Sequence, residues 1–514
     1  MKSPQKINLF TIRSLIFNIY IMFRFFETLP GLLSWGTLVL IVILSWQFPS
    51  GVAVFIIVFD IYWLFKTVYF SLHLRISFKN LKENMKINWL KKMEASELDW
   101  EKVYHLIILP TYKEPYEVVK ESFKALASAN YPKEKFIVVL ATEERAGKAR
   151  EETAQKIEAE FSGKFFKLLT TTHPADLPGE IPGKGSNQTW AAKETKKLVI
   201  DPLKINYENV LASVFDVDTQ IFPEYFGILT YNFLTCEHPQ RSSFQPVPLF
   251  TNNIFQAPAL ARVISFSSTF WHMIQQARPH RLTTFSSHSM PFKALDDIGF
   301  WQKNVVSEDS RIFWQCYLYF NGDWRVVPIN YPVSMDANVA PTFWQTLANL
   351  YKQQRRWGWG CENIPYLLDG FRKNKKIPLS KKLYWGFNYT EGFHSWATNA
   401  LIIFTLGWLP ILVGGATFKF SLLSYNLPRI TRGVMNFTML GLVSSAVLSI
   451  ALLPPKPNDF KKRQYFLYVI QWLLMPFTIL IFGAVPALEA QTRLMLGGKF
   501  RLGFWVTPKY RNPV

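Results

Sequence analysis

Three short motifs stand out for the chemistry their spacing permits. Asp216-Val217-Asp218 follows Asn209–Phe215, an apolar run with the length and composition of a buried strand. Two carboxylates one residue apart at a strand end can hold Mg²⁺ or Mn²⁺ through oxygen and leave the other coordination positions to a diphosphate. A solvated turn carries the same pattern, so the pair alone does not choose between the two. Ser307-Glu308-Asp309 lies further along the chain. Asp309 has the chemistry of a base that takes a proton from a hydroxyl, and Ser307 or Asp309 is equally a good cap for a helix entering Ile312-Phe313-Trp314. Gln353, Arg356 and Trp357 are spaced i, i+3, i+4 and share one helix face. There the indole can stack on a sugar-like ring while Gln and Arg donate to hydroxyls or phosphate; a basic amphipathic helix on a membrane carries similar residues.

These residues need a frame to bring them together, and residues 88–383 alternate strand and helix signals. His105–Leu109 reads as a buried strand ending at Pro110, and Pro115 opens a helix with Val119, Phe123 and Leu126 or Ala127 on one face. Phe136–Ala141 and Phe165–Leu169 read as further strands, with a charged helix at Arg145–Phe161 between them and another at Ser186–Val199. Asn209–Phe215 is the fourth strand. This βαβα order predicts an α/β fold with a mostly parallel sheet and ligands at the strand carboxyl ends.

The 514 residues are 49% apolar, 16% aromatic and only 18% charged, which points to membrane-spanning segments beside a soluble region. The net charge of +20 suits lipid headgroups or phosphate-bearing ligands. Dispersed Lys and Arg without a nucleic-acid-binding motif argue against nucleic acid. Cys236, Cys316 and Cys361 are widely separated, so they predict free thiols rather than a disulfide framework or zinc site. The uncharged stretch 28–59, broken by Pro49-Ser50-Gly51, predicts a hairpin of spans near 30–48 and 52–72. Lys2, Lys6, Arg13 and Arg24 before it and Arg75, Lys79, Lys82 and Lys86 after it place both flanks in the cytosol. Phe10–Phe26 is expected to be an interfacial helix. Uncharged runs at 395–418, 433–455 and 464–488 could each span. Three spans would put the basic residues Lys499, Arg501, Lys509 and Arg511 outside, so one run is expected to lie in the interface or re-enter. Within the second span, Lys66 is expected to snorkel and Asp60 to pair with another helix.

Taken in order, Asp216-Val217-Asp218, Ser307-Glu308-Asp309 and Gln353-x-x-Arg356-Trp357 resemble the motifs of family-2 glycosyltransferases, especially the membrane-embedded cellulose- and hyaluronan-synthase-like branch. Ile108-Leu109-Pro110-Thr111-Tyr112-Lys113-Glu114 is similar to the family's opening strand and nucleotide loop, and Pro182-Gly183-Lys184-Gly185-Ser186-Asn187 to its lysine-containing nucleotide-contact segment. Phe292-Lys293-Ala294-Leu295 through Gly299-Phe300 resembles the stretch before the catalytic Asp, and Phe504-Trp505-Val506-Thr507-Pro508-Lys509 the gating loop of cellulose synthases.

The resemblance implies a GT-A-type nucleotide-sugar-binding domain flanked by transmembrane helices. Its Mg²⁺ or Mn²⁺ would be held by Asp218 and Asp216, with Lys184 on the diphosphate. Thr111, Glu114 and Glu143 would line the nucleoside, Asp309 would be the general base, and Gln353, Arg356 and Trp357 would bind acceptor and donor diphosphate. Thr507 and Lys509 would close over the nucleotide. The implied reaction is inverting transfer from a nucleotide sugar to a polysaccharide or glycan, with secretion if processive. Single transfer to a lipid-linked acceptor is the alternative, and an idle membrane scaffold or transporter a further one. The implied organisation is an N-terminal segment at 1–27, a transmembrane hairpin at 28–74, a cytosolic catalytic domain at 75–341, interfacial helices at 342–393, C-terminal spans at 394–488 and a gating tail at 489–514, in the plasma or inner membrane. The chain departs from the family's pattern in four places. Thr142-Glu143-Glu144 stands where Asp-Asp is usual, Ser307 replaces Thr, and Ser286-Ser287-His288-Ser289 replaces an acceptor-side Cys-Gly-Thr. Residues 236–281 have no familiar counterpart, and His238, His272 and His280 there read as structural or surface residues.

Overall fold

A computed structural model describes residues 9–457 and 461–511. Lys2, Lys6 and the first part of the 1–27 segment lie outside the described residues, as do 512–514 at the end of the tail. One eight-stranded sheet organises the central region, in the order β3-β2-β1-β4-β7-β6-β8-β5. The strands are β1 Tyr104–Pro110, β2 Phe136–Glu143, β3 Lys167–His173, β4 Val210–Val214, β5 Gln220–Ile221, β6 Ser242–Leu249, β7 Ser289–Pro291 and β8 Arg325–Ser334. β1 pairs in parallel with β2 on one side and β4 on the other, and β2 pairs in parallel with β3.

The central strands are Val/Ile/Leu runs because helices cover both faces of the sheet. Successive side chains alternate between those faces. Leu106, Ile108, Ile137, Val139, Ala212 and Val214 share one core with Ala191, Ala192, Phe313 and Trp314, while Ile107, Leu109, Val138, Leu140 and Leu211 share another with Val119, Phe123, Phe226 and Leu229. Each such large side chain stabilises the fold by about 1.5–3 kcal/mol on full burial, so the tips of β1, β2 and β4 form a stiff base for whatever follows them.

The second half of the sheet was not legible as strands. β7 is antiparallel to both β4 and β6, β5 is antiparallel to β8, and β6 runs parallel to β8 with a bulge between Gln245 and Val247. The sheet is therefore mixed, with parallel pairing in its first half. The third strand lies at Lys167–His173, later than the apolar run suggested, because Phe165 packs into the core ahead of it. The helix after Gly183 begins at Lys184 and ends in a wide turn at Lys196–Ile200.

Among the described residues four helices are long and apolar enough to cross a membrane: Ile21–Gln47, Pro49–Asn84, Leu422–Ala451 and Arg463–Leu496. Leu379–Phe404 and Leu406–Val413 make a fifth if this pair, bent by 47°, is one broken span. The separate interfacial helix expected at Phe10–Phe26 does not form, because Leu9–Gln47 is one continuous helix. Arg24 does not interrupt it: the guanidinium pairs with Glu27 and donates to the Met495 carbonyl at 3.0 Å. The run 464–488 is not one regular helix. Its helical path tightens at Gln471–Leu474 and widens at Ile479–Ala484, on either side of Pro476 and before Pro486. Lys66 does not snorkel. Its ammonium lies 3.2 Å from Glu391 and 4.5 Å from the Trp63 ring centroid. Asp60 is buried beside Thr431 of Leu422–Ala451. Polar side chains also clip these helices together: Ser34 donates to Gln491 at 2.7 Å, Trp35 to Thr492 at 2.8 Å, and Thr37 meets His394 at 3.0 Å.

Candidate active site

β4 stops at Val214, and Phe215 makes a last sheet bond from its N–H to the Ile108 carbonyl at 3.0 Å. The chain then turns, Thr219 N–H donating to the Asp216 carbonyl at 2.8 Å, and releases the two carboxylates from the sheet edge. Asp216 Oδ1 lies 2.6 Å from Lys184 Nζ, which is also 3.4 Å from Ser286 Oγ. Lys184 can start its helix there because Gly183 has φ of +152°, a conformation that excludes a side chain. A Cβ on Gly183 would lie 2.7 Å from the Phe504 ring, so the tail packs directly against this turn.

Asp218 is fully buried. Its Oδ2 accepts from Lys509 Nζ at 2.6 Å and from the Asp336 N–H at 2.9 Å, while Oδ1 is buried with no partner. Asn252 Nδ2 donates both to the Asp218 carbonyl and to Asp336 Oδ1, each at 2.9 Å. Arg511 completes the group with a two-pronged contact to Asp336 at 2.6 and 3.1 Å.

Asp309 is the second residue of helix Glu308–Tyr319. The side-chain cap expected of Ser307 is not made. Its hydroxyl and N–H donate instead to Glu362 Oε1, at 2.7 and 2.9 Å, as does the Val306 N–H at 3.0 Å. Asp309 Oδ1 accepts only a local bond from the Ser310 N–H at 2.8 Å, and the Asp309 carbonyl is fixed by the Thr284 hydroxyl at 2.7 Å.

Lys184 couples the two acidic pairs. Burial works against its charge, yet Asp216, Glu308 and Asp309 together hold its pKa above the usual lysine value. Asp216 responds oppositely: despite burial, Lys184, Lys509 and Ser286 hold its carboxyl well below the usual range. Burial, with Asp336 and Asp216 nearby, pushes Asp218 up against the pull of Lys509. Burial and the neighbouring Asp309 push Glu308 up to about 8. Asp309 is also raised, by burial and by Asp216, with Lys184 and Arg356 opposing.

Helix Phe343–Gly358 delivers the remaining motif. Asn338 donates to Gln353 Oε1 at 3.3 Å, the Arg356 guanidinium lies 5.3 Å from the Phe504 ring centroid, and Trp357 lies 6.1 Å from Phe250. Arg355 turns away to Glu489 at 2.7 Å, so the helical spacing does separate the two arginines. Thr111 and the Tyr112 N–H both donate to Glu114 Oε2, at 2.8 and 2.7 Å, just past β1. Glu143, buried at the end of β2, is paired with Arg145, whose guanidinium covers the Tyr112 ring at 4.3 Å. Thr507 is buried with its hydroxyl unpartnered.

The fold thus brings Lys184, Asp216, Asp218, Glu308, Asp309 and Lys509 into one interacting charge group, with Arg356 at its side. Thr111, Glu114 and Glu143 form a separate group past the tips of β1 and β2. Asp336, Asn252, Glu362 and the role of Arg511 escaped the sequence reading, since each acts across a long sequence separation and belongs to no local spacing pattern. Among the described residues no three His, Cys, Asp or Glu side chains form a metal cage. The pair Asp216 and Asp218 fits a cation site that a diphosphate would complete, and Asp218 Oδ1, buried and without a partner among the described residues, would serve as a ligand atom once uncovered.

Residues 214–483 match the model of glycosyl transferase family group 2, which is more than half of the chain. The protein belongs to this family. It is a nucleotide-sugar-dependent glycosyltransferase with a GT-A-type fold and several helices able to span a membrane. No curated protein matches. Among solved structures, a mannosyltransferase of Pyrobaculum calidifontis, PcManGT, in complex with GDP-Man and Mn²⁺, aligns at 13% identity and a TM-score of 0.42, over 77% of this chain and 99% of that one. Residues 1–349 of S. aureus TarS with UDP-GlcNAc align at 12% identity and a TM-score of 0.36, over 77% and 91%.

Proposed function

We propose that the chain is an inverting glycosyltransferase of the cellulose- and hyaluronan-synthase-like branch, moving a sugar from a nucleotide sugar to a growing glycan at the membrane. The observation that carries this reading is Lys184, part-buried at 2.6 Å from Asp216 and within electrostatic reach of Glu308 and Asp309. A donor-side carboxylate, Asp216, and the base thus share one cation, an arrangement that suits a single displacement.

Asp309 takes the proton of the acceptor hydroxyl at its carboxylate. Its raised pKa makes it a stronger base than an ordinary aspartate. Lys184 stays charged and faces the departing diphosphate, whose developing charge it stabilises. Mg²⁺ or Mn²⁺ on Asp216 and Asp218, when bound, supplies further positive charge for the same leaving group. Gln353 and Arg356 orient acceptor and diphosphate, and Trp357 offers a stacking face to the acceptor sugar. Thr111, Glu114 and Glu143 lie on the nucleoside side, and Thr507 and Lys509 cover the nucleotide. The catalytic region 75–341 faces the cytosol, with 342–393 along the interface and the helices of 28–74 and 394–488 in the membrane.

The lipid-linked acceptor is the second reading. Ser34–Gln491, Thr37–His394 and Lys66–Glu391 are mutually satisfied pairs between membrane helices, which favours a closed bundle over a wide glycan passage. Full-length protein in lipid, given a panel of labelled nucleotide sugars with Mg²⁺ or Mn²⁺, tests both. Turnover of one donor into long product supports the polymer reading, and addition of a single sugar supports the lipid-linked one. Failure to bind or turn over any nucleotide sugar sinks the assignment.

A further inference from the structure

The segment 504–511 lies across the proposed donor site and is held there by three kinds of contact. Phe504 fills the notch at Gly183. Lys509 reaches Asp218 Oδ2 at 2.6 Å, and Arg511 forks onto Asp336 at 2.6 and 3.1 Å. The Tyr510 carbonyl also accepts from Asn253 at 3.4 Å. With Lys184 on Asp216, each of these three carboxylates already has a fixed cation, while Glu308 and Asp309 stand beside them without a direct one.

We infer that Lys509 is the resident cation of Asp218 in the donor-free enzyme, latched in place by the Arg511–Asp336 fork, so that a divalent ion gains Asp218 only by displacing this strap. The inference rests on the reading that Asp216 and Asp218 take a divalent ion. A 2+ ion approaching Asp218 meets a carboxylate that is already paired, and at close range Lys509 repels it. A diphosphate arriving with the ion brings negative charge that offsets it and offers Lys509 a new partner. Metal loading is therefore tied to donor loading, and the strap supplies the coupling.

A second set of observations agrees. Asp218 Oδ1, Thr507 Oγ1 and Arg356 Nε are all buried without a hydrogen-bond partner, and all lie on or beside the strap. Buried polar atoms are rarely left unmatched, so the closed strap leaves bonds to be made in another arrangement. Asp336 and Arg511 are positioning residues in this scheme, since they act through Lys509.

The test measures Mn²⁺ binding alone, without nucleotide, on full-length protein in lipid nanodiscs, together with hydrogen exchange of residues 504–511. Lys509→Met removes the competing charge and should tighten Mn²⁺ binding by about tenfold or more, equal to about 1.4 kcal/mol. Lys509→Arg keeps the charge and should leave Mn²⁺ binding weak. Arg511→Ala should raise exchange across 504–511 without Mn²⁺ and tighten Mn²⁺ binding, while Arg511→Lys does so less. In wild-type protein, Mn²⁺ at saturating level should raise exchange in the same segment. Unchanged or weaker Mn²⁺ affinity in Lys509→Met, or Mn²⁺ binding that leaves exchange in 504–511 unaltered, overturns the latch and leaves the metal reading standing. Absence of Mn²⁺ binding in wild type and in every variant, with added diphosphate, overturns the cation site itself and this inference with it.

Discussion

Asp216-Val217-Asp218 and Glu308-Asp309 each join one buried acid, Asp218 or Glu308, to one half-buried acid, yet the protein treats them differently. Each carboxylate at the end of β4 has an ammonium at 2.6 Å, Lys184 on Asp216 and Lys509 on Asp218. Neither Glu308 nor Asp309 has an ion-pair partner within 4.0 Å among the described residues; they feel Lys184 and Arg356 from further away. The consequence is a split in protonation. Asp216 is held below the ordinary range, whereas Asp218 is raised by burial and its acidic neighbours in spite of Lys509, Glu308 is pushed up to about 8 and Asp309 is raised. At Asp216 the ion pair with Lys184 holds a fixed charge suited to binding, whereas at Asp218 full burial beside other acids outweighs the pull of Lys509. Without a direct partner Glu308 and Asp309 become more basic, which suits proton transfer.

The strongest way to break this contrast is Asp309→Asn. Turnover should fall by about a thousandfold, in the range expected for loss of a general base, with nucleotide affinity changed by no more than a few-fold. Binding measured by calorimetry alongside single-turnover kinetics reads the split, and equal losses in both would mean that Asp309 also serves the donor. Asp216→Asn should cost less in rate per unit of binding and more in stability. It leaves Lys184 without its partner in a part-buried site, a loss of about 1.5–3 kcal/mol visible as a lower unfolding midpoint.

The pH responses should carry opposite signs. Asp216 has a folded pKa below its unfolded value of about 3.9, so its contribution is present above that value and is lost as pH falls through the folded pKa. Glu308 has a folded pKa of about 8 against an ordinary 4.5, so the folded state binds the extra proton and stability declines as pH rises between those two values. Glu308→Gln should therefore raise the unfolding midpoint relative to wild type more at pH 9 than at pH 6. A constant difference across that window would show that Glu308 is ionised at neutral pH. The smallest effect is expected from Gly183→Ala. The positive φ and the contact with Phe504 cost about 1–3 kcal/mol locally, which should loosen 504–511 and raise the donor KM a few-fold with little change in kcat.

Much of the first half of the fold was legible because β1, β2 and β4 are continuous apolar runs followed by short acidic or polar turns. A parallel sheet with covered faces demands that pattern, and its strand ends are where ligands gather. The second half was not legible. β6 contains two prolines and is buried along its whole length, and β7 has only three residues, so neither presents an alternating or long apolar signal. Hydropathy located the apolar helices but not their ends, since Arg24 is paired with Glu27 inside its own helix and Lys66 with Glu391 on another.

The amino-acid sequence by itself determined the chemical inventory: a pair of acids at a strand end, a second pair at a helix start, a Gln-x-x-Arg-Trp helix, and apolar segments on both sides. Spacing of 2.0 or 3.6 residues is a local property, and it is written in consecutive residues. Only the tertiary structure decided which acids would be ion-paired and which left basic. That depends on Lys184, Asp336 and the 509–511 segment with Lys509 and Arg511 arriving from three separate parts of the chain, and on how much water their meeting excludes.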